Sequence, residues 1–213
     1  MVAVACCRPT SLGSAAVVPP TVRVRTHTVP NPVAMLFRAV SRCRPSLPER
    51  ERWQIAGVIH RESQRWGYDP LFVVAMADVE SSCSPTARGR GGVGLIQLKP
   101  STARAVAKAA GLRWRGSAML TKPVVNVQLA LRYLAELETR FRDPHLAIAA
   151  YNLGPKRVAR MPQQRARTAQ YVRKVLERYE ANLTRHRAER HDIPPSRAPR
   201  GPTQRVVRAS YRS

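Results

Sequence analysis

Proline recurs in this chain wherever a helical pattern begins. Pro48, Pro70, Pro100, Pro123 and Pro144 each stand at or just before a run with helical periodicity, and Gly67, Gly111 and Gly154 stand where three of those runs stop. Proline fixes φ near the helical value and lacks an amide that the first turn would leave unpaired, so it opens helices and is excluded from their interiors. Glycine closes them because it enters the left-handed conformation without penalty. The punctuation therefore divides the chain into a series of medium-length helices.

The segments between these marks agree. Residues 49–66 place Ile55, Val58, Ile59 and Glu62 on one side of a helix that Gly67 ends. Asp69-Pro70 reads as N-cap and first turn, followed by Phe72, Ala75, Met76 and Val79 at i, i+3, i+4 and i+7. Both faces of this helix are apolar apart from Asp78 and Glu80, which predicts burial. Gly89, Gly91, Gly92 and Gly94 break the pattern into a loop or short hairpin. Helices follow from Pro100, from Pro123 (stripe Val127, Ala130, Leu134, Leu137) and from Asp143-Pro144, and Thr168 reads as the cap of a last helix bearing Val172, Val175, Leu176 and Tyr179. The expectation is an all-α domain over 49–183. A Pro/Arg-rich segment, 1–48, precedes it, with room for one or two helical turns at Ala34–Val40. A basic, disordered tail, 184–213, follows.

Charge narrows the partner. The chain has 37 Lys and Arg against 13 Asp and Glu, a formal net charge of +24, and about half of the excess lies outside 49–183. A hydrophobic content of 44% excludes a wholly disordered polyelectrolyte, and no apolar run reaches membrane-span length. Such a surface suits a polyanion, either nucleic acid or an acidic wall polymer. Cys6, Cys7, Cys43 and Cys83 form neither a CxxC pair nor a cluster with histidine, so a zinc site is not expected. A Cys43–Cys83 bridge requires an oxidising compartment, and the sequence leaves it open. Residues 1–7 lack the basic n-region of a secretory leader, and Cys6 matches a lipoprotein cleavage site only weakly.

Acidic residues are scarce enough to make one conspicuous. No Asp or Glu occurs between Glu80 and Glu136. Glu80 ends an apolar helix just before the glycine-rich break, where burial and the negative helix end both favour the protonated carboxyl, and Arg88 and Arg90 would oppose them. A carboxyl protonated near neutral pH suits a general acid. Asp78, two residues earlier, faces another way and makes a poor partner.

Around Glu80 stand Glu80-Ser81, GGVGLIQLKPSTA over 91–103, Asn126 with Tyr133-Leu134, AAYNLG over 149–154, and TAQYVRKVLERY over 168–179. This ordered set, spread over residues 50–180, resembles the soluble lytic transglycosylases. Their pattern is an ES pair, GxxGLMQxxPxTA, an asparagine helix before YL, AYNxG and TxxYVxxV. The resemblance implies a lysozyme-like, all-α fold of the goose-type kind, no cofactor, and action on peptidoglycan glycan strands in the periplasm or cell envelope. It implies that Glu80 is the single acid/base, protonating the bond between N-acetylmuramic acid and N-acetylglucosamine and then helping to close a 1,6-anhydro ring. It implies sugar-binding places for Gln97, Lys99, Tyr151 and Asn152, with Tyr151 near the Glu80 carboxyl, and close backbone packing at Gly94. Ser81, Asn126 and Tyr171 match supporting positions, the last two weighted toward packing rather than contact. Trp66 and Trp114 read as core or rim aromatics.

Three positions depart from the pattern. Gly89 falls where many members carry a serine that steadies the acid, Lys99 replaces a methionine, and Arg167 precedes Thr168 where an acid is common. Rival readings are a hydrolytic muramidase, which needs a second carboxylate such as Asp143 or Glu136 about 5–9.5 Å from Glu80, a basic nucleic-acid-binding module, and a weakened relative serving an envelope or secretion machine.

Overall fold

A computed structural model describes residues 31–191 apart from Arg90. The leader and lipoprotein readings of residues 1–7, the disordered tail beyond residue 191 and the influence of Arg90 lie outside the described residues. Among the described residues, nine α-helices and one minute hairpin make up the fold. Helices α1 (Pro32–Cys43), α2 (Glu49–Trp66) and α3 (Pro70–Ser81) lead into a hairpin of β1 (Arg88–Gly89) and β2 (Gly92–Val93). Then come α4 (Pro100–Ala109), a 3-10 turn (Ser117–Thr121), α5 (Pro123–Phe141), α6 (Pro144–Leu153), α7 (Pro155–Val158), α8 (Gln163–Arg167) and α9 (Gln170–His191).

The proline signals correspond to real helix starts. Pro70, Pro100, Pro123 and Pro144 occupy the first turns of their helices. Asp69 and Asp143 cap theirs through side-chain oxygens that accept from Leu71 N at 2.8 Å and Leu146 N at 3.0 Å. Gly67 ends α2 in the left-handed conformation, with φ 73°.

Helix α3 lies at the centre. Leu71, Val73, Val74, Ala75, Met76 and Ala77 are all buried, as its two apolar faces require. It packs chiefly on α9, while α1 packs on α2, and α2 and α6 pack on α5. Ile55, Ile59, Met76, Leu95, Ile96, Leu129, Leu131 and Leu134 join these elements in one core.

Two expectations need correction. The packed body extends beyond 49–183 at both ends. The stretch expected to give one or two turns is the three-turn helix α1, with Leu36, Ala39 and Val40 in the core, and α9 continues to His191. Glu189, near the end of α9, pairs with Arg38 and Arg42 of α1, so the two outer helices hold each other. Thr168 does not open the last helix. It closes α8, its hydroxyl donating to Gln164 O at 2.8 Å, because α7 and α8 fill a segment too short and too polar to carry a periodic signal.

Cys43 and Cys83 are bonded, linking the end of α1 to the turn after α3 across a sequence separation of 40. Closing a loop of that length in the unfolded chain is worth about 3–4 kcal/mol. A Cys43→Ala/Cys83→Ala variant should be less stable than the oxidised wild type by that amount and melt at a lower temperature, and reductant should bring the wild type down to match it in scanning calorimetry.

Candidate active site

Helix α3 ends one residue after Glu80, and the chain then takes a turn that few residues adopt. Ser82 and Cys83 both have positive φ, 50° and 56°. Non-glycine residues hold such angles only where surrounding contacts impose them. Here the Cys83 bridge fixes one side, and the Ser81 hydroxyl fixes the other, donating toward Leu95 O at 2.7 Å and Ala77 O at 3.1 Å and accepting from Ser84 N at 3.0 Å.

The segment after the hairpin makes only a single ladder bridge, Val93 to Leu98, and side chains satisfy much of the rest. Asn126, fully buried on α5, accepts from Ile96 N and donates to Val93 O, each at 2.8 Å. Between them sits Gly94 at φ 84°, where a Cβ would come within 2.0 Å of Leu120 O and 2.5 Å of Asn126 Nδ2. Only glycine fits there. Tyr151 donates to Ile96 O at 2.9 Å, and Gln97 donates through Nε2 to Gly94 O at 2.8 Å and Ala87 O at 3.1 Å.

Beside Glu80 opens a cleft of about 780 Å³. Its walls come from Val79 and Glu80 of α3, Gly89 and Gly92 of the hairpin, Gln97, Leu98 and Lys99, Tyr133 of α5, Tyr151 and Asn152 of α6, and Gln170, Tyr171 and Lys174 of α9. Asn152 and Lys99 are exposed at the rim. Glu80 is the one acid among the described lining residues. Burial raises its carboxyl pKa to about 7, opposed by a hydrogen bond from Tyr171 Oη to Oε1 at 2.7 Å. Burial and the nearby Glu80 charge push the phenols of Tyr151 and Tyr171 well above their usual range, so both remain donors.

Most of the expected site residues meet around this cleft, with roles redistributed. Glu80, Gln97, Lys99, Tyr151 and Asn152 line it. Ser81, Gly94 and Asn126 lie behind it and hold the loop. The tyrosine bonded to Glu80 is Tyr171, a position that its sequence weights toward packing, whereas Tyr151 spends its hydroxyl on Ile96 O. The adjoining buried Val172 and Val175 gave Tyr171 the look of a core aromatic. Tyr133 and Lys174 also line the cleft, and the sequence carried no signal for Lys174 beyond its place on that helix. Trp66 and Trp114 pack against the core away from the cleft. Asp78 faces the other way and pairs with Arg178 at 3.4 Å. Asp143 is taken up by its cap and by Arg167 at 2.8 Å, and Glu136 pairs with Arg132 at 3.4 Å, so neither is a cleft acid.

A helical body with a buried carboxyl closing its central helix, under a loop read by GLIQ and backed by AYN, is the lysozyme-like class of fold. Within it, the chain belongs to the transglycosylase SLT domain family, which matches residues 57–173. It is 34% identical over 99 residues to the endo-type membrane-bound lytic murein transglycosylase A of Klebsiella pneumoniae, covering 44% of this chain and 48% of that protein. The chain spans less than half the length of the curated relatives it matches first. An inactive Glu→Gln mutant of the lytic transglycosylase Slt of Pseudomonas aeruginosa superposes with TM-score 0.54 at 26% identity, over 71% of this chain and 28% of that one. The 70 kDa soluble lytic transglycosylase of Escherichia coli shares the fold, with TM-score 0.55 at 20% identity over 73% of this chain and 30% of its own.

Two measurements probe this arrangement. Asn126→Ala leaves a buried amide and a buried carbonyl unpaired and should cost about 2–4 kcal/mol in denaturant unfolding. The raised Glu80 pKa means that the unfolded chain loses this proton near pH 4.5 and the folded chain near 7. Wild-type stability therefore falls as pH rises through that window, whereas a glutamine does not titrate. Glu80→Gln should equal the wild type below pH 4 and exceed it by up to about 3 kcal/mol above pH 7.5.

Proposed function

We propose that this chain is a peptidoglycan lytic transglycosylase that cleaves the β-1,4 bond between N-acetylmuramic acid and N-acetylglucosamine and leaves 1,6-anhydromuramyl ends. The observation that carries this reading is the solitary carboxyl of Glu80, held near neutral pKa in a cleft with no second acid among its described lining residues. Hydrolysis with a second carboxylate would need a partner that the cleft does not offer. Relatives of similar fold bear the name lytic transglycosylase, and the Pseudomonas protein recorded as inactive carries a Glu→Gln change.

The chemistry follows from the two oxygens of Glu80. Tyr171 donates to Oε1, so the acidic proton resides on Oε2. It passes to the glycosidic oxygen as the bond to C1 breaks, and the substrate's 2-acetamido group supports the cationic centre. The resulting carboxylate, stabilised by the Tyr171 hydroxyl, takes the proton of the C6 hydroxyl as that oxygen bonds to C1. One carboxyl thus serves as acid and then base, and no water is consumed. Gln97 uses its Nε2 hydrogens on the loop, which leaves Oε1 to accept from a sugar hydroxyl or acetamide. Asn152 at the rim offers both a donor and an acceptor. The Cys43–Cys83 bridge supports action in an oxidising compartment such as the periplasm or cell envelope. Among the described residues, no helix is long and apolar enough to cross a membrane.

Digesting purified glycan and weighing the products tests the reading. Wild type should give ends lighter by one water than reducing ends, and reducing ends in their place would overturn it. Glu80→Gln should lose about 10²–10⁴-fold in rate while remaining folded. Because the acid form starts the reaction, kcat/KM should fall as pH rises above about 7.

A further inference from the structure

The proton-transfer scheme leaves two cations in the cleft without a task. Lys174 stands one turn beyond Tyr171 on α9, an i, i+3 spacing that puts both on the side facing Glu80. Lys99 lines the same cleft, two residues after Gln97. Both are exposed, and among the described residues neither lies within 4.0 Å of an acid. The cleft therefore holds two ammonium groups against one carboxyl, and it is positive whether or not Glu80 is ionised.

Lys174 makes no salt bridge with the acids beside it, Asp78 and Glu177. It also borders a second recess of about 490 Å³ lined by Asp78, Ser82, Glu177 and Arg178. Asp78 is already engaged by Arg178 at 3.4 Å. An N-acetylated sugar backbone can accept hydrogen bonds from the two ammonium groups but cannot neutralise them, and two like charges lining one groove repel. A ligand that carries an anion gains from both groups what a neutral one does not.

We propose that Lys99 and Lys174 are a carboxylate-reading pair that recognises the acidic substituent on the 3-oxygen of the muramyl residue. The inference rests on the glycan reading above and adds a substrate feature to it. The shared chemistry is a carboxylate hanging beside the bond to be cut. It has two sources: the lactyl group of a bare strand, or the stem peptide of a substituted one.

Four polymers separate these outcomes. Peptide-bearing strands and amidase-stripped strands are each used as they are and with their carboxylates capped as neutral methylamides. Capping should raise the wild-type KM about three- to tenfold, as expected for two partly solvated ion pairs, with kcat nearly constant. A rise on stripped strands assigns the lactyl carboxylate, and a rise confined to peptide-bearing strands assigns the peptide. The Lys99→Gln/Lys174→Gln chain should show the raised KM on uncapped polymer and no response to capping, and Lys99→Arg/Lys174→Arg should recover the response. Equal wild-type KM on capped and uncapped forms of both polymers, or a glutamine variant that still discriminates, overturns the pair. If no anhydro ends appear, the transglycosylase reading fails on its own. The pair is then judged by cosedimentation of Glu80→Gln with the same four polymers, where a three- to tenfold loss on capping supports it and equal binding overturns it.

Discussion

The carboxyl at the end of helix α3 has to be kept partly out of water at the edge of an open cleft, and most of the local architecture follows from that need. Helix α3 is apolar on both faces and lies against α9, so Glu80 emerges at the one point where the core gives way to the cleft. Desolvation disfavours the carboxylate, and the Tyr171 hydroxyl returns part of that cost. Neither effect survives a loose loop. The segment from Ser82 to Leu98 has almost no regular structure, and the side chains of Ser81, Asn126, Gln97 and Tyr151 take the place of a ladder in satisfying it.

The departures from the family pattern are coherent in this frame. Gly89, where a serine is common, lies with room for a Cβ 3.5 Å from Gln97 Oε1. Its bareness leaves that oxygen facing the cleft. Steadying of the acid falls instead to Tyr171, which reaches Glu80 from the opposite wall. Arg167, where an acid is common, is used outside the cleft, bracing the Asp143 cap of α6 and hence the helix that carries Tyr151 and Asn152.

Much of this was legible from residues alone. Helix starts were written in Pro70, Pro100, Pro123 and Pro144, because proline's backbone restriction is local and context hardly alters it. The carboxyl of the cleft was legible because no Asp or Glu follows Glu80 for over fifty residues and its helix is apolar apart from it and Asp78. What was not legible depended on distance in space. Tyr171 directly precedes the buried Val172 and stands four residues before the buried Val175, so nothing nearby in sequence distinguishes a hydroxyl that reaches Glu80 from one that does not. The helix at Pro32–Cys43 was read short because its core face, Leu36, Ala39 and Val40, is meaningful only once α2 lies beneath it. Cys43 and Cys83 could be matched only when the fold brought α1 beside the end of α3.

That bridge has a consequence for when the protein becomes itself. It pins the residue three positions beyond Glu80 to the end of a helix 40 residues earlier, within a turn whose backbone angles few residues hold unaided. A chain made among reducing thiols would carry every side chain of the cleft but lack the fastening that sets the acid's helix end. Maturation of the site is thus tied to a covalent event separate from folding, and a cell that withholds that event from newly made chains separates manufacture of the protein from possession of its finished tool.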